Sequence, residues 1–343
     1  MKQRTRLPVY AWPRLSKTDL LCIRIGGNGL GNLLFTWARC LAESERRGWR
    51  MIWPTWRSYK PKNRRVNPYD HRIYSDLFRP TARYVHGWRK PWCLARDRWI
   101  SEDQACAEGA RPGSVVVFMG MEGKFAPFLR DAERIRSELI AISRERHLAA
   151  FSNADPAPIA IHVRCGDFVR QSSYEQMVNV DNSSLPMDWY VEALRAVRAK
   201  TGHELSAEVY SDGTAEQLAP LLSLPGVKRR EYGSSLADIF GLSRSRFLIA
   251  SGSTFSMWGS YLGQVPTLWH PGKLLQHVLL KHPEREFEWA AGEPLPDWVP
   301  ETLGEPGAAE AKMSPKPGPR GTTETVGAAS AAICNSRNLT DRG

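Results

Sequence analysis

The chain has 343 residues, of which 42% are hydrophobic and 24% are charged. This balance is typical of a folded globular protein, and it excludes a wholly disordered chain or a fibre. At roughly 150 residues per domain, the length favours two domains. The apolar runs at 114–120 and 158–163 are much shorter than the ~20 residues that cross a bilayer. The first 19 residues lack the apolar stretch of a signal peptide, so we expect a cytoplasmic protein.

Charge and tryptophan are concentrated at one end of the chain. Residues 1–100 hold 22 Lys and Arg against six Asp and Glu, a net of +16, and eight of the 13 tryptophans. A basic, Trp-rich lobe predicts an anionic partner, which could be nucleic acid, an acidic glycan or a membrane surface. The alternative is a solvated basic face over buried tryptophans. The six cysteines form no Cys-x-x-Cys pair, so we expect free thiols.

The first half of the chain predicts strands interleaved with helices. An apolar strand at 20–25 runs into a glycine-rich turn and an amphipathic helix over 32–49. Further elements are expected as a short strand at 50–53, a strand at 114–120 and a long helix at 130–150.

A Pro-rich break at 152–158 precedes a second series of the same kind. Alternating strands and helices predict parallel sheets with crossover helices, here in two copies. The tail beyond about residue 300 has almost no large apolar residues, so we expect it to be disordered. The predicted elements of the second series are strands at 159–163, 207–211, 246–250 and 266–269, and helices at 187–200, 214–223, 236–243 and 254–263. The predicted domains are a basic arm at 1–18, a first α/β domain at 19–152, a second α/β domain at 157–298 and the tail at 300–343.

Ligands of open α/β sheets bind at the carboxyl ends of the strands, and four polar segments follow predicted strands here. The first, GGNGLGN at 26–32, lets the backbone approach a ligand closely at a helix N-terminus, or it is a tight turn without a ligand. The second, IHVRCGDF at 161–168, places Arg164 at the end of an apolar strand. Its guanidinium suits a phosphate or carboxylate, or it pairs internally with Asp167.

The other two segments combine acids and hydroxyls. In YSDG at 210–213, Asp212 could bind a ribose hydroxyl or a guanine N–H, or it could cap the next helix. In SGSTFSMW at 251–258, the hydroxyls of Ser253 and Thr254 and the free helix amides could cradle an anion, or merely cap the helix. The sequence has no Asp-x-Asp and no zinc, serine-hydrolase or P-loop motif, so we expect no metal site.

The four segments in this order resemble the α-1,2-fucosyltransferase-like group of the fucosyltransferase superfamily, glycosyltransferase family 11. Its opening GGLGNQMFQYA is similar to residues 27–38, and its HxRRGDY is similar to residues 162–168. Its FSDD and SxFSWWGA segments are similar to residues 210–213 and 253–260. Order and spacing agree over residues 20–270.

This resemblance implies a GT-B-like α/β fold, with two Rossmann-like domains facing across a cleft. The domain at 19–152 would be on the acceptor side, and the domain at 157–298 would bind the GDP-sugar. It also implies an inverting, metal-independent transfer of fucose from GDP-fucose to a glycan hydroxyl, with no cofactor besides this donor substrate. Arg164 would be the catalytic residue, because it would grip the β-phosphate of the leaving GDP. The implied donor-binding residues are Arg164 itself, His162 and Asp212 at the nucleotide, Ser253, Thr254 and Phe255 at the diphosphate, Gly29 and Asn32 facing the fucose, and Asp167 either at the nucleotide or orienting Arg164.

Three departures from the family pattern keep alternatives open. Cys165 replaces the second Arg of HxRRGD, Leu33 replaces the Gln of GLGNQ, and Met257 replaces the first Trp of SFSWWG. The alternatives are another nucleotide sugar, a basic nucleic-acid-binding protein or an inactive glycan-binding relative. We expect a surface-polysaccharide or lipid-linked acceptor, peripheral contact with an anionic membrane and no nucleic acid. Neither Asp70 nor Asp76 stands out as a catalytic base.

Overall fold

The computed structural model describes residues 7–59, 74–95, 98–152, 155–165, 169–170 and 183–304. The described part of the chain contains no helix both long and apolar enough to cross a bilayer. The strands and helices of the first half are β1 Tyr10–Pro13, β2 Thr18–Asp19, β3 Arg24–Ile25, α1 Leu30–Arg47, β4 Arg50–Met51, β5 Ser58–Tyr59, α2 Arg89–Leu94, β6 Trp99–Ser101, α3 Glu102–Glu108, β7 Val115–Phe118, α4 Ala132–Ile142 and α5 Ala149–Ser152.

The second half contains a larger sheet with helices on both faces. Its elements are β8 Ile159–Val163, β9 Val169–Arg170, β10 Ser183–Ser184, α6 Met187–Thr201, β11 Ala207–Ser211, α7 Ala215–Leu222, β12 Val227–Arg229, α8 Ser235–Leu242, β13 Phe247–Ile249, α9 Thr254–Gly263, β14 Thr267–Trp269, β15 Glu286–Glu288 and α10 Trp298–Leu303.

Two parallel sheets form the framework of the fold. The first has the order β4-β1-β7-β6 and the second the order β12-β11-β8-β13-β14-β15, and every strand pair in both is parallel. The predicted α/β class with two Rossmann-like halves is confirmed. Crossover helices bury both faces of such sheets, which explains why every residue of β8, β13 and β14 is buried.

The predicted strand at 20–25 is wrong. The strand paired with both β4 and β7 is β1, whose residues are all buried, whereas Leu20 and Leu21 are exposed on the turn between the short antiparallel strands β2 and β3. Pro13 is compatible with this strand because it stands at the strand's end. The prediction of one continuous helix at 130–150 is also wrong. This segment is divided into α4, a 3₁₀ turn at Glu145–His147 and α5.

The structure shifts two of the predicted domain boundaries. Strand β1 lies inside the segment predicted as a basic arm, because Tyr10, Ala11 and Trp12 are apolar enough to enter the core. Helix α10 continues to Leu303, which is buried together with Val299, so ordered structure extends past the predicted start of the tail. The remaining boundaries stay predictions, and residues 305–343 lie outside the described residues.

The two halves share one hydrophobic core, which joins α1 to α9. Five aromatic side chains form its centre: Phe35, Phe125, Phe128, Trp258 and Tyr261. The indole Nε1 of Trp258 donates to the carbonyl oxygen of Gly31 at 2.7 Å. A Cβ on Gly31 would lie 2.7 Å from the Thr254 hydroxyl oxygen, which is too close for the two helices to keep this distance. The contact therefore depends on glycine at position 31.

We predict that Gly31→Ala destabilises the protein far more than Gly29→Ala. The added methyl group at position 31 forces α1 away from α9, an overpacking cost of about 1–3 kcal/mol. Gly29 is the N-cap of α1 with φ of −65° and open space around its Cα, so alanine there should cost only the lost N-cap preference, about 0.5–1 kcal/mol. Urea unfolding of both variants measures the difference, and equal losses would contradict the described interface.

Candidate active site

His162 is the buried centre of a cluster at the carboxyl edge of the larger sheet. Side chains alternate along a strand, and the flanking Ile161 and Val163 pack into the core on the far face of the sheet. His162 therefore points to the opposite face, toward the turn that follows β13. Its side chain is only 6% exposed, and its ring stacks on Phe255 with centroids 5.5 Å apart.

Three serines surround the imidazole: Ser251 and Ser253 lie in that turn, and Ser256 lies in the first turn of α9. Nδ1 of His162 lies 2.7 Å from the hydroxyl oxygen of Ser256, 2.9 Å from that of Ser251 and 3.4 Å from that of Ser253. The amide of Ser251 also donates to the Ser256 hydroxyl oxygen at 3.1 Å, and the Ser251 hydroxyl donates to that of Ser253 at 3.1 Å. The histidine thus fixes the shape of the turn that leads into α9.

Burial keeps this histidine uncharged. It lowers the pKa of His162 to about 4, an effect that the nearby Arg164 guanidinium reinforces and the Asp212 carboxylate opposes. At neutral pH the ring holds the serines by hydrogen bonding and adds no positive charge to the site.

Arg164 emerges from β8 and is held by a carboxylate from the neighbouring strand. Its Nη1 donates to Oδ2 of Asp212, while the amide of Cys165 donates to Oδ1 of the same carboxylate at 2.8 Å. Both charged side chains are partly exposed, so a ligand can reach the guanidinium. The internal pair considered from sequence therefore forms with Asp212, while Asp167 lies outside the described residues.

Asp212 does not cap the helix that follows it. Thr214 is the N-cap of α7 and forms a capping box with Gln217, so the carboxylate is free to hold Arg164. Cys165 packs against Gly213, the residue after Asp212. A Cβ on Gly213 would be 2.9 Å from the Cys165 sulfur. The small cysteine side chain fits a place where the family motif has arginine.

The N-terminus of α9 is shaped by Ser253 without being capped by its side chain. Ser253 is the N-cap residue, but its hydroxyl accepts no bond from the first-turn amides and bonds to Ser251 instead. The preceding Gly252 has φ of +71°, and a Cβ there would lie 2.9 Å from the Cβ of Lys273. The Lys273 stem is thus buried directly beside this turn, at the carboxyl end of β14.

The glycine-rich turn reaches the same place from the first half of the molecule. Thr254 donates from Oγ1 to Oδ1 of Asn32 at 2.9 Å, which links the N-termini of α9 and α1. Gly26 and Gly27 serve a different purpose. They have φ of +71° and +101° and wrap the buried Arg24, whose Nη1 donates to the Gly26 carbonyl oxygen.

The structure thus brings together most of the residues predicted from sequence. Asp76 is not among them, because it pairs with Arg146 and lies 3.6 Å from His147. Asp70, like Asp167, lies outside the described residues. Sequence reasoning missed Ser251, Ser256 and Lys273. The two serines flank the recognised motif, while Lys273 follows a predicted strand at the same sheet edge.

Comparison with known proteins identifies the segment that carries this cluster. Residues 121–269 match the model of Glycosyl transferase family 11. The predicted family resemblance is confirmed, and the matched segment contains β8, β11 and α9 with His162, Arg164 and Asp212. The glycine-rich turn lies outside it.

Individual relatives are distant. The O-antigen biosynthesis glycosyltransferase WbnK of Escherichia coli is 26% identical over 135 residues, which are 38% of this chain and 42% of that protein. The chain therefore matches less than half the length of this curated relative.

The chain is also similar, at low sequence identity, to solved structures of fucosyltransferases. The NodZ α-1,6-fucosyltransferase soaked with GDP-fucose is 14% identical with a TM-score of 0.44, covering 78% of this chain and 96% of its own. A fucosyltransferase NodZ structure from Bradyrhizobium is 15% identical with a TM-score of 0.44, covering 76% of this chain and 94% of its own. POFUT1 in complex with GDP-fucose is 12% identical with a TM-score of 0.40, covering 78% of this chain and 99% of its own. At these TM-scores the likeness carries no argument about function.

We predict that His162 makes the protein acid-sensitive. Its pKa of about 4 in the folded state lies below the ordinary 6.5, so the unfolded chain binds the proton first. The stabilisation is fully present above pH 6.5 and is lost as the pH falls towards 4, by about 3 kcal/mol at most. The free-energy advantage of wild type over His162→Asn should therefore shrink between pH 7 and pH 4 in chemical unfolding. An advantage that does not change with pH would refute the role of burial.

Proposed function

We propose that this chain is an inverting, metal-independent glycosyltransferase that moves L-fucose from GDP-fucose to a glycan hydroxyl. The observation that carries the proposal is the placement of Arg164. It stands at the carboxyl end of β8, held by Asp212, next to His162 and the serine turn that opens α9. All four parts lie inside the segment matched by the family model.

The chemistry required at this position is stabilisation of a leaving diphosphate. In the transfer, the acceptor hydroxyl oxygen forms a bond to the sugar's C1 and loses its proton to solvent. The bond from C1 to the phosphate oxygen breaks, and its electron pair stays on GDP as negative charge. Arg164 supplies a fixed charge in a fork that matches phosphate oxygens. The N-terminus of α9 adds amides and the positive end of the helix dipole. The absence of any Asp-x-Asp from the sequence supports a mechanism without a divalent metal.

Asn32 and Thr254 support a donor sugar placed between the two halves. Their hydrogen bond brings the N-termini of α1 and α9 together, so a diphosphate at α9 has its sugar next to the glycine-rich turn. Fucose as the sugar follows from the resemblance of the four motifs to the family pattern. The name of the relative WbnK, an O-antigen biosynthesis glycosyltransferase, supports a surface-polysaccharide or lipid-linked acceptor.

The test is transfer from GDP-fucose by Arg164 variants. We expect Arg164→Ala to lower turnover by about 10²–10³, the usual loss when a fixed transition-state donor is removed. Arg164→Lys should recover little, because an ammonium cannot make the paired contact. Cys165→Ser is the matched control and should keep most activity, since Cys165 packs on Gly213.

Two further arms of this assay separate the parts of the proposal. Activity that survives excess EDTA supports transfer without a metal, whereas loss on chelation and recovery with Mg²⁺ or Mn²⁺ would overturn it. A thermal-shift panel of nucleotide sugars tests the donor. Stabilisation by a UDP- or dTDP-sugar and not by GDP-fucose would favour the alternative of another donor.

We also propose peripheral contact between the first half and an anionic membrane surface. Trp88 and Trp92 are 74% and 64% exposed, and they lie four residues apart at α2. The Arg89 guanidinium lies 5.7 Å from the Trp88 ring centroid. Exposed tryptophan beside arginine suits the headgroup region of a bilayer.

We expect the full chain to bind anionic vesicles more tightly than neutral ones, and to lose this binding as salt rises. Trp88→Ala/Trp92→Ala should weaken binding at least tenfold. Leu275→Ala is the control, because Leu275 is exposed in the second half. Equal affinity for neutral and anionic vesicles would contradict the proposal, and salt-sensitive binding to RNA alone would favour a nucleic-acid partner.

A further inference from the structure

A cavity lies at the carboxyl edge of the smaller sheet, apart from the candidate active site. It has a volume of about 620 Å³, and strands β1, β6 and β7 or the residues directly after them contribute to its wall. Carboxyl edges of parallel strands are where ligands of α/β proteins bind, and this volume suits a small ligand. The lining residues are Arg14, Arg39, Trp99, Ile100, Ser101, Glu102, Asp103, Val117, Met119, Glu122, Gly123 and Pro127.

The polar wall of this cavity is organised by a buried arginine. Arg39 is 4% exposed, and its guanidinium lies 2.9 Å from a carboxylate oxygen of Glu102 and 2.9 Å from one of Glu122. It also donates to the carbonyl oxygen of Met119 at 2.6 Å. Because the arginine is fixed by backbone contacts, the two carboxylates beside it are held in place as hydrogen-bond acceptors.

The charge of the wall argues against an anionic ligand. Glu102, Asp103 and Glu122 stand against Arg14 and Arg39. A phosphate or nucleotide would meet an excess of carboxylates there. A neutral ligand with many hydroxyls fits better, because hydroxyls can donate to carboxylates and accept from guanidinium N–H groups. Arg14 also lines this wall, and its guanidinium carries N–H donors in addition to those of Arg39.

Trp99 offers the cavity an apolar wall. It is 41% exposed, packs edge-on against Trp12 with centroids 5.2 Å apart, and donates from Nε1 to the carbonyl oxygen of Leu94 at 3.0 Å. Since the indole nitrogen already has a partner, the ring meets a ligand through its carbon surface. A pyranose has C–H groups on its faces and hydroxyls around its edge. An aromatic surface beside carboxylates and guanidinium groups matches both parts of such a ring.

We infer that this cavity binds a neutral sugar of the acceptor glycan, which rests on the proposed function. Arg39 follows Asn32 by seven residues on the same helix, a distance of about 10 Å along α1. The cavity therefore receives a sugar at a distance from the hydroxyl that reacts. It extends recognition of the acceptor without taking part in the chemical step.

The first experiment measures binding without any donor. The full chain is applied to an array of neutral, sialylated and sulfated oligosaccharides. We expect binding to neutral oligosaccharides, weakened at least tenfold by Trp99→Ala and by Asp103→Asn. Leu280→Ala is the control, because Leu280 is an exposed apolar side chain outside the cavity. Asp103 is exposed, so its variant keeps the test valid if Trp99→Ala folds poorly.

The second experiment uses transfer to the oligosaccharide that binds best. Trp99→Ala should raise the KM for this acceptor at least tenfold, leave kcat within about twofold and leave the KM for GDP-fucose unchanged. Trp99→Tyr should restore much of the affinity because it keeps an aromatic wall. A uniform fall in kcat for both substrates would indicate a merely structural role and overturn the inference.

The binding outcomes separate this inference from the proposed function. An array without bound glycans, binding confined to acidic glycans, or equal losses in Leu280→Ala and Trp99→Ala would each refute the sugar site. Trp99-dependent binding of neutral glycans, with no nucleotide sugar used as donor, would leave the sugar site standing and refute the transferase.

Discussion

The hydrogen bond from Trp258 to the backbone of Gly31 is the contact on which the rest of the structure depends. It draws the N-termini of α1 and α9 together, and no side chain at position 31 would allow this approach. The aromatic cluster around Trp258 then closes over the contact and excludes water from it. Helix α9 follows the carboxyl end of β13, and side chains of α1 bond to the carbonyl oxygens of Met119 and Gly120, directly after β7. The contact between the two helices therefore links the carboxyl edges of both sheets.

The candidate active site divides its tasks between charged and neutral groups. Arg164 supplies charge at the solvent-accessible edge, where Asp212 fixes its direction. His162 lies deeper, uncharged, and orders the serine turn through hydrogen bonds. A protonated histidine in that position would put a second cation beside Arg164 in a poorly solvated place. Burial removes that cost by keeping the ring neutral.

Local pattern was sufficient for the central strands of the second half, but it missed β12 and β15 there and parts of the first half. Strands β8 and β11 have the bounds predicted from sequence, because apolar runs flanked by turn residues leave few alternatives. Strand β1 was missed because four residues ending in proline give a weak signal, whereas the stronger apolar run after it forms an exposed turn. Tertiary pairing with β4 and β7 outweighed local preference there.

The functional cluster was predicted from motif order, while its internal contacts were not. The bonds from His162 to Ser251 and Ser256 join residues about 90 positions apart, and no local rule pairs them. Lys273 likewise carries no sequence signal beyond following a strand. The glycine-rich turn shows that a recognisable motif can also reflect local structure alone. Gly27 is required by the packing of Arg24, and Gly26 is favoured by its φ of +71°.

The ion pair between Arg164 and Asp212 has a consequence for how a ligand leaves. A guanidinium that already holds a carboxylate must exchange one oxygen partner for another before it can hold an anionic ligand, and it regains the first when that ligand departs. The affinity for an anion at Arg164 is therefore lower by the free energy of the Arg164–Asp212 pair. A free phosphate gains less from displacing this pair than a ligand that is also held at other points. Departure never exposes a bare cation, so the pair lowers the barrier to release and keeps the empty site from trapping stray anions.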